Sequence, residues 1–139
     1  MRKPRREPLK ATSPRDTKRS PAQRRGALAE QVVADYLAAR AFRIHGLNVR
    51  LGPYELDIVA QQDDLVVVVE VRHRGVGSWQ SALESIGPAK IRRIRIAGER
   101  LWGERFADDP TVNRLRYDVA TVAFEPNGQA SIEYFAGAF

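Results

Sequence analysis

The sequence predicts an α/β domain with a mixed central sheet of about five strands, flanked by two long helices. Three observations predict it. Apolar residues recur at spacings of three and four over 24–40 and again over 87–105, the period of amphipathic helices. Short apolar runs between and after them are set off by Gly, Pro, Asn and Asp, the punctuation of strands and turns. One run, Leu65-Val66-Val67-Val68-Val69-Glu70-Val71-Arg72, reads as a buried central strand.

Taken in order, Leu28, Val32 and Tyr36, with Val33 and Leu37, form the stripe of a first helix from Arg24 to Arg40 that also carries Glu30. Phe42 to Arg50 alternates loosely and makes a first strand, in which Gly46 marks a bulge or bend. Gly52-Pro53 forces a turn. Residues 54–61 and 65–73 are the second and third strands, and the Gln61-Gln62-Asp63-Asp64 linker is short enough to demand an antiparallel hairpin. His73 to Gly87, with Gly75, Gly77, Ser78 and Ser81, is expected to be a mobile loop with room for one short helical turn. Gly87-Pro88 suits a helix start, and Ile91, Ile94, Ala97 or Gly98, and Leu101 carry a second long helix to about Arg105. Arg114 to Phe124 is a fourth strand, Pro126-Asn127-Gly128 a turn and Ser131 to Phe135 a fifth strand. The expected order is α-β-β-β-α-β-β.

Composition narrows the function classes. The chain has 139 residues and no Cys, which excludes disulfide and thiolate-metal chemistry, and its two His are too few for a histidine cluster. Any metal must sit on oxygen. The net charge of +6 is unevenly placed: residues 1–25 hold ten basic and two acidic residues, whereas residues 26–139 hold thirteen basic and fifteen acidic ones. The basic stretch is rich in Pro, Ser and Thr, so residues 1–23 are expected to be a disordered basic tail and 24–139 the folded domain. The tail suits either an arm for a polyanion or a solubilising extension. No apolar run has the length of a membrane span or a secretory signal core, so the expected location is the cytoplasm, away from membranes.

The chemistry gathers on two acids. An ionised carboxylate near the end of a valine strand is costly unless cations or donors compensate it, so Glu70 needs partners. Asp57, in Tyr54-Glu55-Leu56-Asp57-Ile58-Val59-Ala60, is the obvious neighbour across the hairpin. Alternation puts Glu70 and Arg72 on one face, and Glu55, Asp57 and Val59 together on one face of the preceding strand. Two carboxylates, a backbone carbonyl near Val71 and waters make an oxygen shell for Mg²⁺, which orients and acidifies a water and stabilises charge on a phosphate. The same residue types also make a structural salt bridge at a strand end. Lys90, Arg92, Arg93 and Arg95 cluster at the start of the second helix, as phosphate contacts or as a solvated basic face. Arg50 and Arg74 are strand-end cations beside the acids. His73 stands alone beside the loop, and Trp79 and Trp102 read as packing residues.

The pieces Gly26-Ala27-Leu28-Ala29-Glu30, Asn48-Val49-Arg50, Glu55-Leu56-Asp57-Ile58-Val59-Ala60, Val69-Glu70-Val71-Arg72-His73-Arg74, Lys90-Ile91-Arg92-Arg93, Arg116-Tyr117-Asp118-Val119 and Ala138-Phe139 stand in the order and spacing of the uncharacterised bacterial YraN-like family, which 24–139 resembles. That family looks like a compact member of the restriction-endonuclease-like superfamily, with a helix Glu, then Asp, then Glu-x-Lys. The resemblance implies a restriction-endonuclease-like fold and carries over Glu30, Asp57 and Glu70. It departs at Arg72, where the family has Lys, and at Tyr54, where a Gly is usual. An arginine stays protonated and cannot be a general base, although it can pin a phosphate oxygen or hold Glu70.

The expected function is nucleic-acid binding with weak Mg²⁺- or Mn²⁺-dependent endonuclease activity on DNA, branched DNA included. Asp57 and Glu70 are the expected metal ligands, Glu30 an outer-shell or second-metal acid, and Arg72 a phosphate contact. Arg50, Arg74, Lys90 and Arg93 are the expected nucleic-acid contacts. The alternative is a catalytically inactive nucleic-acid- or protein-binding module, which the −2 balance of residues 26–139 favours. A small-molecule enzyme lacks support, since the sequence has no Gly-rich phosphate loop. The last strand, ending in Phe135 and Phe139, offers an apolar edge for a homodimer.

Overall fold

The structure, a computed structural model, describes residues 19–73 and 77–139. The first helix, α1, spans Pro21–Ala39. It begins three residues earlier than expected because Ser20 caps it. The Ser20 hydroxyl accepts from the Gln23 amide at 3.1 Å, and the Gln23 side chain accepts from the Ser20 amide at 2.8 Å, a capping box with Pro at the first helical position. Residues 21–23, assigned to the basic tail from sequence, thus form the first turn of the helix. Residues 1–18 of that expected tail lie outside the described residues.

Five strands form one sheet in sequential order: β1 (Arg43–Leu51), β2 (Tyr54–Gln62), β3 (Leu65–Arg72), β4 (Arg114–Phe124) and β5 (Ala130–Phe135). Neighbours pair antiparallel except β3 and β4, which are parallel. Parallel neighbours need a long crossover, supplied here by α2 (Trp79–Ile86), α3 (Pro88–Leu101) and a wider helical turn over Trp102–Phe106. The mixed five-strand α/β architecture is the one expected. Helix α2, eight residues long, exceeds the one short helical turn expected within a mobile loop over this segment. Ser78 caps it, accepting from the Ser81 amide at 3.0 Å, and Ala82 and Ile86 anchor it in the core. Gly87, at φ 85° and ψ 155°, ends α2 and starts α3, a conformation essentially confined to glycine.

Two cores sandwich the sheet. Ala29, Val33, Ala34 and Leu37 of α1 pack on Leu65, Val67 and Val69 of β3, while Ile94, Ala97 and Leu101 of α3 pack on Val66 and Val68. Leu28, read as part of the α1 stripe, is 53% exposed; the small Ala29 takes its place against the sheet. Val66, Val67, Val68 and Val69 are at most 1% exposed, and each contributes about 1.5–3 kcal/mol by its burial. That contribution offsets the cost of carrying a carboxylate at the next position. No helix among the described residues is long and apolar enough to cross a membrane.

On β4, in register with Val69 of β3, Asp118 is fully buried and fully partnered. It accepts from Arg116 Nε and Nη2 at 2.8 and 2.9 Å, from the Gly137 amide at 2.8 Å and from the Tyr134 hydroxyl. This network ties the chain end to β4, where the Ala138 amide also donates to the Tyr117 carbonyl. Phe139 stacks on Tyr117 with centroids 5.4 Å apart, and Phe135 packs against the α3-side core. Both rings expected at an open apolar edge therefore face inward.

Candidate functional site

The site forms where β2 parts from β3. Their ladder runs from Gln62↔Leu65 to Ile58↔Val69. One residue beyond it, the Asp57 carboxylate takes over the pairing and accepts from the Val71 amide at 2.9 Å. The hairpin register thus sets Asp57 beside Glu70, near enough for its charge to act on the Glu70 carboxyl.

Asp57 can reach this position because strand alternation fails there. Leu47 and its partner Ile58 pack on the α1 side of the sheet, whereas Val49 and its partner Leu56, each two residues away, pack on the α3 side. Strict alternation would have kept each pair of residues on one face. The break falls at Asn48, whose φ is 52°. Hence Glu55, Asp57 and Val59 do not share a face as expected: Leu56 and Val59 lie in the same core. A second irregularity, the register shift between Ile44 and Gly46, is the bulge that Gly46 predicts.

Around Asp57 the acids come from both sides. Glu70, 4% exposed, follows Val66 and Val68 on the α3 face. Its pKa is pushed up to about 8, first by burial and then by the charge of Asp57, against the pull of Lys90 and Arg72. Glu30, on α1, is pushed up to about 7, again by burial first and Asp57 second, with the Asn48 amide opposing. That amide donates to Glu30 Oε1 at 3.0 Å. Asn48 had no assigned role in the sequence reading. The available signal was its place in the Asn48-Val49-Arg50 piece.

Two cations reach Glu70 Oε2: Arg72 Nη1 at 3.5 Å and Lys90 Nζ at 3.9 Å. Arg72 does not bridge both acids. Its other nitrogen, Nη2, donates to the Ser85 carbonyl at the end of α2 at 2.9 Å, a bond that exists because Gly87 stops α2 there. Lys90 sits in the first turn of α3, and Arg93, one turn further, is exposed. Arg50 is exposed opposite Glu55 on β1, outside the Asp57–Glu70 pair. Arg74 lies outside the described residues. His73 is exposed, its ring centroid 5.6 Å from that of Phe124. Trp79 is half exposed and donates through Nε1 to the Ala138 carbonyl at 3.0 Å.

Residues 29–122 match the family model described as "Uncharacterised protein family UPF0102". The chain belongs to this family. It is 44% identical over 114 residues to a UPF0102 protein of Sorangium cellulosum, covering 82% of this chain and 79% of the relative. A Myxococcus xanthus UPF0102 protein is 35% identical over 122 residues, covering 86% and 94%, and one of Kineococcus radiotolerans is 36% identical over 114 residues, covering 81% and 90%. The YraN-like resemblance is thereby borne out. The UPF0102 match spans Glu30, Asn48, Asp57, Glu70, Arg72 and Lys90, and so the whole acid cluster.

Among the described residues no three His, Asp or Glu side chains are placed to hold a metal between them. The Asp57–Glu70 pair supplies two hard oxygen ligands, which suits Mg²⁺, an ion that takes one or two carboxylates and keeps several waters. The Glu70 carboxyl is raised first by burial and then by the charge of Asp57, so near neutral pH it holds a proton that an entering cation would displace.

Proposed function

We propose that this UPF0102 protein binds nucleic acid at the Asp57–Glu70 end of its sheet and cleaves DNA weakly with Mg²⁺ or Mn²⁺, branched DNA being the substrate class to test. The observation that carries the reading is the pairing of Asp57 with the buried Glu70 at the sheet's open corner, with two cations beside them. Asp57 and Glu70 would hold the ion, which when bound supplies an acidified water and neutralises charge on a phosphate. Glu30 adds negative charge behind Asp57. Arg72 and Lys90 orient phosphate oxygens, and Arg93 extends the basic side of α3. Arg72 stays protonated and takes no proton from water, which accounts for weak turnover. Cutting both strands of a duplex takes two sites and hence a homodimer on this reading.

A second reading, a nucleic-acid- or protein-binding module without turnover, is favoured by one observation: Arg72 and Lys90 already lie against Glu70. Cleavage of a labelled branched DNA with Mn²⁺, by the wild type and by Asp57→Asn, separates the two. Slow cutting that Asp57→Asn abolishes supports the nuclease. DNA binding with equal, background cutting by both proteins supports the module.

A further inference from the structure

We infer that Asn48 is a positioning residue that assembles the acid cluster from opposite faces of the sheet, and this inference rests on the reading of Asp57 and Glu70 as the metal-holding pair. Three observations converge on it. Asn48 has φ 52° within a strand, a region that residues with a Cβ avoid and that Asn tolerates. At this residue β1 and β2 turn over together, since Leu47↔Ile58 faces α1 and Val49↔Leu56 faces α3. Its carboxamide then donates to Glu30 Oε1 at 3.0 Å.

Without the turnover, Asp57 would take its place in a regular β2–β3 ladder. With it, the Asp57 carboxylate caps the Val71 amide at the end of the ladder, between α1, which carries Glu30, and the α3 face of β3, which carries Glu70. The backbone of Asn48 therefore sets Asp57, and its side chain sets Glu30. Asn combines the two roles because it tolerates the left-handed region and carries a donor amide.

The two roles separate by substitution. Asn48→Gly keeps the left-handed backbone and removes the amide, while Asn48→Ala removes both. Amide exchange at Val71, normalised to Val67 in the same strand, reads the Asp57 contact with no metal present. Val71 in Asn48→Ala is expected to exchange about tenfold faster than in the wild type, and in Asn48→Gly within about threefold. Mn²⁺ affinity by calorimetry should follow the same order. At saturating Mn²⁺, Asn48→Gly should cut about fivefold more slowly, because the lost hydrogen bond frees Glu30. A merely structural role would lower the melting temperature and leave the Val71 to Val67 ratio unmoved, which overturns the inference, as does equal loss in both variants. If Asn48→Ala fails to fold while Asn48→Gly folds, the left-handed requirement stands, and the cutting rate of Asn48→Gly decides the side-chain role. If the wild type binds no Mn²⁺, the metal reading fails while the Val71 ratio still decides the role of Asn48.

Discussion

The carboxylate of Asp57 accepts a hydrogen bond from the backbone amide of Val71 at 2.9 Å, beyond the last paired residues of the β2–β3 ladder. A side chain thereby completes the pairing that the backbone abandons, and the same carboxylate faces Glu70. Asparagine keeps an oxygen for the Val71 amide but carries no charge. Asp57→Asn should therefore stay folded, with Glu70 titrating at lower pH than in the wild type and divalent-ion binding lost. Carboxyl chemical shifts followed through a pH titration check the first point, and an unmoved Glu70 contradicts it.

The acid cluster makes stability depend on pH in an unusual direction. Glu70 and Glu30 have folded pKa values raised from 4.5 to about 8 and about 7, so between pH 4.5 and 8 the folded state binds more protons than the unfolded one. Stability contributed by these groups is then fully present below pH 4.5 and is lost as pH rises through 7 and 8. Glu70→Gln should remove most of this loss, gaining on the order of 2 kcal/mol over the wild type at pH 8 and little at pH 4.5. Urea unfolding at the two pH values checks it.

Because the acids hold protons near neutrality, a divalent cation must displace them to bind. Calorimetry of Mn²⁺ binding at pH 7 in buffers of different ionisation enthalpy should show proton release, and binding should weaken steeply below pH 6. Heats independent of buffer would contradict proton displacement.

Arg72 touches Glu70 with one nitrogen and the Ser85 carbonyl with another. A lysine reaches one of the two. Arg72→Lys should lose the tie to α2, costing about 1 kcal/mol, and should raise Mn²⁺-dependent cutting by presenting a compact charge beside Glu70. Melting and cleavage, measured together, separate these effects.

Much of the fold is legible in the sequence because its signals are local. The valine run of β3, the short 61–64 turn, the bulge at Gly46 and the Gly87-Pro88 helix start act through neighbouring residues. Helix α2 is legible only as room for a short helical turn: it is eight residues long, too short to hold without tertiary packing. The start of α1 was hidden among basic residues, although Ser20 and Gln23 spell a capping box. In the site, the sequence sets Asp57 beside Glu70 across the hairpin, as the β2–β3 register does, whereas the contact of Lys90 with Glu70 is one that the expected phosphate role of Lys90 does not announce. Asn48 could not be named from sequence, since a left-handed residue inside a strand follows from how β1 and β2 cross the sheet, and no propensity foretells it.

Asp118 and Glu70 are both buried acids with contrasting partners. The Asp118 carboxylate is satisfied by Arg116, Gly137 and Tyr134, whereas Glu70 keeps only long contacts to its cations. Asp118→Ala should destabilise the fold by about 3–5 kcal/mol, read by denaturant unfolding, and leave Mn²⁺ affinity unchanged in the protein that remains folded.

Titration of Mn²⁺ into the wild type and into Asp57→Asn by calorimetry tests the metal reading most directly. The proposed site predicts binding by the wild type, at one ion or more per chain, and its loss in Asp57→Asn. Equal binding by both proteins, or none by either, would contradict it and make the Asp57–Glu70 pair a structural device at the end of the β2–β3 ladder.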